Sequence, residues 1–325
     1  MHLVSSVNNT RSPAPILMPS MNKTPAVTPI RTRTRRMRRV LVLVGVMLFL
    51  AGSPALTPAA TAREGVDVGA NSAFSKLVPA ENVEHSANLQ YAQLLQQAAG
   101  KNSLGAKDHP QVLRLRAIAQ RIIPFAVAWN PRARDWRWEV NLIGSQQINA
   151  FCMPGGKIAF FSAILEQLKL TDDEAAMVMG HEIAHALREH ARERMGKSAV
   201  THGAARIGGA IAASVLGIDP RLTDGLARGG ANLLTLEFSR EDESEADLVG
   251  MELAARAGYD PRAGVTLWRK MGAASKGAPP QWLSTHPSGK SRIAEIELNL
   301  PKVMPLFERA KERLSGRARI EPVRR

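Results

Sequence analysis

The chain has 325 residues, of which 45% are hydrophobic and 22% charged, enough apolar material for one large packed domain or two smaller ones. Its formal net charge is +14, but residues 1–62 contain eight Lys or Arg and no Asp or Glu. The remaining chain is only mildly basic and has no aromatic residues interleaved with its cations, so we expect no nucleic-acid partner. A single cysteine, Cys152, excludes an internal disulfide.

Residues 1–62 have the order of a leader that directs secretion. A cationic stretch, Arg31–Arg39, precedes 13 apolar or small residues, Val40–Gly52, and a small-x-small cleavage pattern ends at Ala62. The apolar stretch is short for a membrane span. We predict that residues 1–62 are a leader with a signal peptide, with Met37 as an alternative start, and that the mature chain is periplasmic. An uncleaved leader that attaches the chain to a membrane is the alternative.

The first part of the mature chain predicts two helices followed by a small sheet. The expected divisions are a loose N-terminal arm at 63–85, one domain at 86–315 and a basic tail at 316–325. Apolar residues at helical spacing predict a helix over Ala87–Ala99, and His109-Pro110 begins the next. Trp136–Ile143 is rich in aromatic and β-branched residues, which favours a strand. Segments on either side of a Pro-Gly-Gly turn predict a hairpin, Gln147–Cys152 and Lys157–Phe161.

The second part of the domain predicts helices only. Thr171 and Glu174 form a capping box that begins a long helix, expected to run to about Met195. A Gly/Ala-rich segment at 202–218 is too short to span a bilayer and predicts a closely packed helix. Caps and breakers predict further helices at 219–238, 241–257, 260–272, 288–300 and from 301 onwards, with a loop at 273–287. The predicted fold class is α+β, mainly helical, with a small sheet just before the long helix.

Two histidines lie four residues apart in the middle of the long predicted helix, in the sequence His181-Glu182-Ile183-Ala184-His185. Positions four apart share a helical face, so both imidazoles can bind one metal ion. Zinc accepts imidazole nitrogens and in catalytic sites leaves one position for water, whose proton Glu182 could take. The alternative is a chance occurrence on a surface helix. The apolar neighbours argue against it, because unpaired buried histidines are costly.

A third ligand must come from another part of the chain, and Glu243 is a candidate. Glu243 and Asp247 are four apart on a predicted helix, so one carboxylate could bind the metal while the other contacts a ligand imidazole. The alternative is a solvated charged turn over residues 240–245. His190 and Glu193 follow the first motif at helical spacing, and we interpret them as outer-face residues.

Several separated motifs, taken together, resemble peptidase family M48 over about residues 80–300. They are Asn149-Ala150-Phe151 with Pro154-Gly155-Gly156, then His181–His185, then Ser239-Arg240 with Glu243, Ala246 and Asp247, then Thr285-His286-Pro287, then Arg292-Ile293. That family includes CAAX prenyl endopeptidases, heat-shock membrane proteases and periplasmic quality-control proteases. The chain resembles the last branch, because the multiple membrane spans of the others are missing.

The resemblance implies a zincin-like fold of the gluzincin type, with the small sheet beside the active-site helix. It implies that Glu243 is the third zinc ligand and that Glu182 is the general base. It further implies that Asp247 is hydrogen-bonded to a ligand histidine, His181. One zinc ion per chain is expected.

Other residues match the family less specifically. His286 could stabilise the oxyanion or cap the zinc in a latent state, and Arg292 could support the structure or the oxyanion. The segment Asn149, Ala150, Phe151 and Cys152 resembles the edge strand on which such enzymes lay an extended substrate. Cys152 departs from the pattern, and we interpret it as a small buried hydrophobe.

The sequence therefore predicts a zinc-dependent metalloendopeptidase that hydrolyses peptide bonds of misfolded or envelope proteins. Its expected partners are unfolded or misassembled protein substrates, with the outer-membrane assembly machinery as a further candidate. The rival hypothesis is a periplasmic chaperone or outer-membrane assembly factor whose zinc site is mostly latent.

Overall fold

Helices form most of the chain that the computed structural model describes, which covers residues 63–207, 232–274, 281–286 and 290–320. A single three-stranded sheet accompanies them in these ranges. The predicted class, mainly helical α+β with a small sheet, is confirmed. The predicted leader and the last five residues of the predicted tail lie outside the described residues.

The helices are, in chain order, α1 Ala80–Gly100, α2 Pro110–Ile122, α3 Ser162–Gln167, α4 Asp172–Leu187, α5 His190–Ile207, α6 Arg240–Arg256, α7 Ala263–Ala274, α8 Gln281–Thr285 and α9 Lys290–Ile320. The strands are β1 Glu139–Ile143, β2 Ala150–Met153 and β3 Lys157–Phe161. Among these helices none is both long enough and apolar enough to cross a membrane.

The sheet has the strand order β1-β3-β2. β3 pairs in parallel with β1 and antiparallel with β2, in a register that sets Ala150 opposite Phe160 and Met153 opposite Lys157. The predicted hairpin is therefore confirmed, and β2 is an edge strand of the sheet. Tyr91 on α1 donates a hydrogen bond of 2.6 Å to the carbonyl of Ile158, which ties α1 to the central strand.

Helix α4 lies at the centre of the core. Thr171 and Glu174 form the predicted capping box, and every residue from Glu174 to Leu187 is buried. The helix packs against β2 on one side and α6 on another. At the crossing with α6, a Cβ on Gly180 would lie 2.5 Å from the carbonyl oxygen of Gly250, and a Cβ on Gly250 would lie 2.5 Å from the backbone nitrogen of His181. Only glycine allows the two backbones to approach this closely.

The helix predicted to run from Thr171 to about Met195 is divided in two. Glu189 has φ 60°, a left-handed conformation that ends α4 at Leu187 and lets α5 begin in a new direction at His190. The prediction was wrong here because helical spacing in the sequence continues across the break. Of the Gly/Ala-rich segment predicted as a helix, residues after Ile207 lie outside the described chain.

Three other boundaries differ from the prediction. The helix predicted to reach Phe238 does not extend that far, since 233–235 form a 3-10 turn and the next residues are extended. A short helix, α8, lies within the predicted loop. Helix α9 runs without a break through Pro301, where the sequence predicts the end of one helix and the start of another. Both Pro301 and the residue four before it are exposed, so water can satisfy the carbonyl that loses its helical partner.

The segment before α1 packs on the domain, which differs from the loose arm that the sequence predicts. Val66 is 2% exposed, and its backbone N–H donates to the buried carboxylate of Glu252 at 2.8 Å. Arg63 donates to the same carboxylate at 2.6 Å. Helix α1 begins at Ala80, seven residues before its predicted start. This segment has no periodicity in its sequence because single residues, and not a repeating face, make the contacts.

Candidate metal centre

Four side chains from three elements converge below the sheet edge. His181 and His185 come from α4, Glu243 from α6, and His286 follows the end of α8. Each offers one metal-binding atom, and these atoms lie within 4.8 Å of one another. All four residues are buried. The structure therefore brings together the three expected ligands and a fourth residue, His286.

The spacing of the donor atoms fits a tetrahedral ion. His181 Nε2 lies 3.1 Å from His185 Nε2 and 3.5 Å from Glu243 Oε2. His286 Nδ1 lies 2.9 Å from Glu243 Oε1 and 3.3 Å from His181 Nε2. A tetrahedron with metal–ligand bonds of about 2.0–2.1 Å has edges of about 3.3–3.4 Å. Three imidazole nitrogens and one carboxylate at this spacing are a donor set that suits zinc.

The charges of the cluster favour binding of a cation. Burial raises the pKa of Glu243, but the charge and hydrogen bonds of His286 and His185 outweigh it and hold that pKa far below its usual range. Burial lowers the pKa of His185 well below its ordinary value, which leaves a neutral imidazole able to bind metal. Burial also acts to lower the pKa of His286, but Glu182 and Glu243 outweigh it and raise that pKa. A bound cation would act in the opposite direction on His286.

A buried carboxylate holds the outer nitrogen of His181. Asp247 Oδ1 lies 3.0 Å from His181 Nδ1, in the arrangement that the sequence predicts. Arg292 donates to both carboxylate oxygens of Asp247, at 2.6 and 2.7 Å, and also to Glu243. Burial raises the pKa of Asp247, but the Arg292 charge and hydrogen bonds lower it on balance. Arg292 thus connects two carboxylates that would otherwise repel each other, and its guanidinium lies 3.8 Å from the centre of the Trp268 ring.

The outer nitrogen of His185 has a different partner, which the sequence interpretation missed. His190 Nδ1 lies 2.9 Å from His185 Nδ1, and His190 Nε2 lies 3.3 Å from Glu245 Oε2. His190 is 1% exposed and Glu193 is 8% exposed, so neither is an outer-face residue. The left-handed turn at Glu189 places His190 beside His185, and helical spacing could not have revealed that.

The expected general base, Glu182, has a hydrogen-bond donor that the sequence did not indicate. Trp282 Nε1 donates to Glu182 Oε1 at 2.6 Å, and the Trp282 ring is fully buried. His286 Nε2 lies 3.6 Å from the same oxygen. Helix α8 therefore presents one residue to the base and places another, His286, at the metal donors. A lone Trp in a predicted loop carries no signal for this contact.

A cleft joins this cluster to the edge of the sheet. Its walls include the predicted substrate strand, Asn149, Ala150, Phe151 and Cys152, together with Glu182, His185 and His286. The wall also contains apolar side chains from the turn before α6, namely Leu233, Leu234, Leu236 and Phe238. Burial raises the pKa of the Cys152 thiol well above its usual value, so the thiol stays protonated and serves as a small apolar side chain.

Comparison with known proteins assigns a family to this arrangement. The family model described as peptidase family M48 matches residues 110–299. The mitochondrial metalloendopeptidase OMA1 of Schizosaccharomyces pombe is 38% identical over 196 residues, which is 60% of this chain and 54% of that protein. Its Arabidopsis thaliana counterpart is 41% identical over 157 residues, 48% of this chain and 30% of that protein. The β-barrel assembly-enhancing protease of Escherichia coli is 32% identical over 181 residues, 53% of this chain and 36% of that protein. The chain thus matches about half or less of each relative's length.

These names correct the predicted location. The periplasmic assignment is wrong, because the yeast and plant relatives are named as mitochondrial proteins. The physical reason for the error lies in the leader composition. Mitochondrial transit peptides are also rich in Arg and Ser and poor in acidic residues, so residues 1–62 fit that class as well as a secretory signal.

Proposed function

This chain belongs to peptidase family M48, and from that premise we propose that it is a zinc-dependent endopeptidase that acts on unfolded or misassembled proteins. The region matched by the family model is a metalloendopeptidase domain. The observation that carries the proposal is the group of four buried donor atoms at tetrahedral spacing, with Glu182 beside it and a cleft leading to a sheet edge.

We assign His181, His185 and Glu243 as the residues that would hold one zinc ion. When bound there, zinc would act as a Lewis acid that polarises the scissile carbonyl and makes a water molecule more acidic. Asp247 supports this assignment, because a carboxylate on the outer nitrogen of a ligand histidine fixes the ring and keeps the inner nitrogen free of its proton.

Glu182 would act as the general base. Its carboxylate accepts a proton from the attacking water and passes it to the leaving amine. Trp282 already donates to Oε1 at 2.6 Å, which fixes the plane of the carboxylate and leaves Oε2 to accept the proton. The buried surroundings of Glu182 exclude bulk water that would compete for this proton.

We propose that His286 acts as a fourth metal ligand and keeps the site latent in the conformation of this structure. Its Nδ1 lies 2.9–3.3 Å from two of the other donor atoms, which is the spacing of a fourth ligand. An imidazole that served as a fourth ligand would leave no open position for the attacking water. The geometry thus favours the latent role for His286 over the oxyanion-donor role, and turnover would require the His286 imidazole to swing away from the other donors while Trp282 stays bound to Glu182.

The edge strand and the apolar wall of the cleft favour the binding of an extended, apolar peptide. β2 is an edge strand that borders the cleft, so a peptide can add to it by main-chain hydrogen bonds. Alternate side chains of that peptide would face the apolar wall formed by Leu233, Leu234, Leu236 and Phe238. Unfolded proteins expose apolar side chains that folded proteins bury, so this wall favours unfolded substrates.

The test is cleavage by the purified full chain of one protein offered in its folded and unfolded forms. We expect one zinc per chain, cleavage of the unfolded form only, and loss of cleavage with a chelator. Glu182→Gln should keep its zinc and reduce cleavage by about 10²–10⁴, because the base is lost while the ligands remain. His85→Ala, an exposed histidine on α1, is the matched control and should match the unchanged chain. Normal turnover by Glu182→Gln would reject the mechanism.

A second candidate function is an assembly factor with a silent zinc site. The closing of the donor set by His286 favours it, and one relative is named for β-barrel assembly. A single variant distinguishes the two hypotheses. If Glu182→Gln restores assembly in cells that lack the protein, the assembly role does not depend on hydrolysis.

A further inference from the structure

We propose that His190 is a positioning residue that fixes the ring orientation and the proton of the metal ligand His185. The proposal rests on the assignment of His185 as a ligand. His190 is neither a proposed ligand nor Asp247, the carboxylate that contacts His181.

The hydrogen-bond geometry permits one consistent placement of the protons. His185 Nε2 faces the donor cluster, 3.1 Å from His181 Nε2 and 3.4 Å from Glu243 Oε1. A nitrogen that binds metal carries no proton, so the proton of a neutral His185 lies on Nδ1. That N–H points to His190 Nδ1 at 2.9 Å, which must then be the acceptor.

The hydrogen bonding continues outward from His190. Because its Nδ1 accepts, its proton lies on Nε2, which faces Glu245 Oε2 at 3.3 Å. Arg188 donates to that same carboxylate oxygen at 2.8 Å and holds it in place. The result is a chain of donors and acceptors from Glu245 to the metal ligand.

Burial makes His190 hard to replace. At 1% exposure, its ring leaves no room for a water molecule to accept from His185. The two imidazole rings meet edge to face, with centroids 4.9 Å apart and planes at 77°. Phe238 packs against the His185 ring itself, with centroids 4.1 Å apart, and its centroid lies 6.2 Å from that of His190. Loss of the acceptor would therefore leave the His185 N–H buried and unpaired, which disfavours the tautomer that binds metal through Nε2.

Zinc affinity, measured by competition with a chelator, tests the proposal without reference to proteolysis. His190→Phe fills the space and cannot accept, so we expect affinity to fall by about 10–100-fold. His190→Asn keeps an acceptor oxygen near the position of Nδ1 and should recover most of that loss. His85→Ala serves as the exposed control. Thermal unfolding of the metal-free proteins separates a folding defect from a ligand defect.

A cobalt(II) spectrum and a variant of Glu245 provide two further tests of the proposal. Cobalt(II) in place of zinc has visible absorption bands that report ligand geometry, and we expect them to shift in His190→Phe and return in His190→Asn. Glu245→Ala alters a side chain that is 30% exposed, so it should fold and should weaken zinc binding by less than tenfold. Equal affinity and equal cobalt spectra in all variants would overturn the role of His190 alone. No zinc binding by the unaltered chain would instead reject the proposed function.

Discussion

The four metal-facing residues belong to two regions of different construction. His181, His185 and Glu243 lie on α4 and α6, helices of 16 and 17 residues that both begin with a capping box. Their backbones are in contact at Gly180 and Gly250. His286 instead follows a helix of five residues. Three donors are therefore fixed by the fold, whereas the position of the fourth depends on a short helix.

Zinc affinity should separate the two regions most strongly. Glu243→Ala removes a fixed donor and leaves Arg292 without one of its carboxylates, so we expect loss of stoichiometric zinc. His286→Ala removes only the fourth donor and should leave one zinc per chain. Metal analysis after gel filtration measures both. Full zinc occupancy in Glu243→Ala would show that another carboxylate, such as Glu245, is the third ligand.

Removal of the donor that follows the short helix should raise the rate of proteolysis, whereas removal of a fixed donor should abolish zinc binding. His286→Ala opens the position that water needs, so we expect basal cleavage of an unfolded protein to rise by roughly tenfold, a change of about 1.4 kcal/mol. A fall by about 10²–10³ would instead identify His286 as an oxyanion donor. An unchanged rate with unchanged zinc would remove both roles.

The helix crossing offers a purely structural test of the fixed region. Gly250→Ala forces a Cβ to within 2.5 Å of the His181 backbone, and we expect a loss of about 1–3 kcal/mol in stability. Gly272→Ala, in α7, meets nothing within 4 Å and should be neutral or stabilising by up to about 1 kcal/mol. Urea unfolding of the two variants compares them directly. Equal stabilities would mean that the crossing is not tight.

The smallest expected effect is a dependence of stability on pH at the start of α4. Burial raises the pKa of Glu174, but its bonds to Lys270, Thr171 and Thr266 lower it on balance. A lowered pKa means that the folded state is favoured above the ordinary pKa and loses that contribution as pH falls through the lower one. Glu174→Gln should cost about 1 kcal/mol at neutral pH and show less further loss in acid. Equal acid sensitivity of both proteins would contradict this.

Local patterns predicted the fixed region and missed the surroundings of the site. The capping box at Thr171, the hairpin and the ligand pair on α4 depend on neighbours within a few residues. His190 was missed because its position depends on the left-handed Glu189, and Trp282 because α8 is short and made by tertiary contacts. The location was wrong because leader composition is shared between compartments.

One contact on α6 has a mechanical consequence. Glu252 is fully buried and binds Arg63 and the backbone of Val66, nine residues after Glu243 on the same helix. Nine helical residues span about 13 Å, so the attachment lies less than three turns from the metal donors. A pull on the chain at Arg63 would therefore act on the helix that carries Glu243, as well as on Trp129, whose ring centre lies 3.6 Å from the Arg63 guanidinium. A displacement of residues 63–66 would pass along α6 toward Glu243.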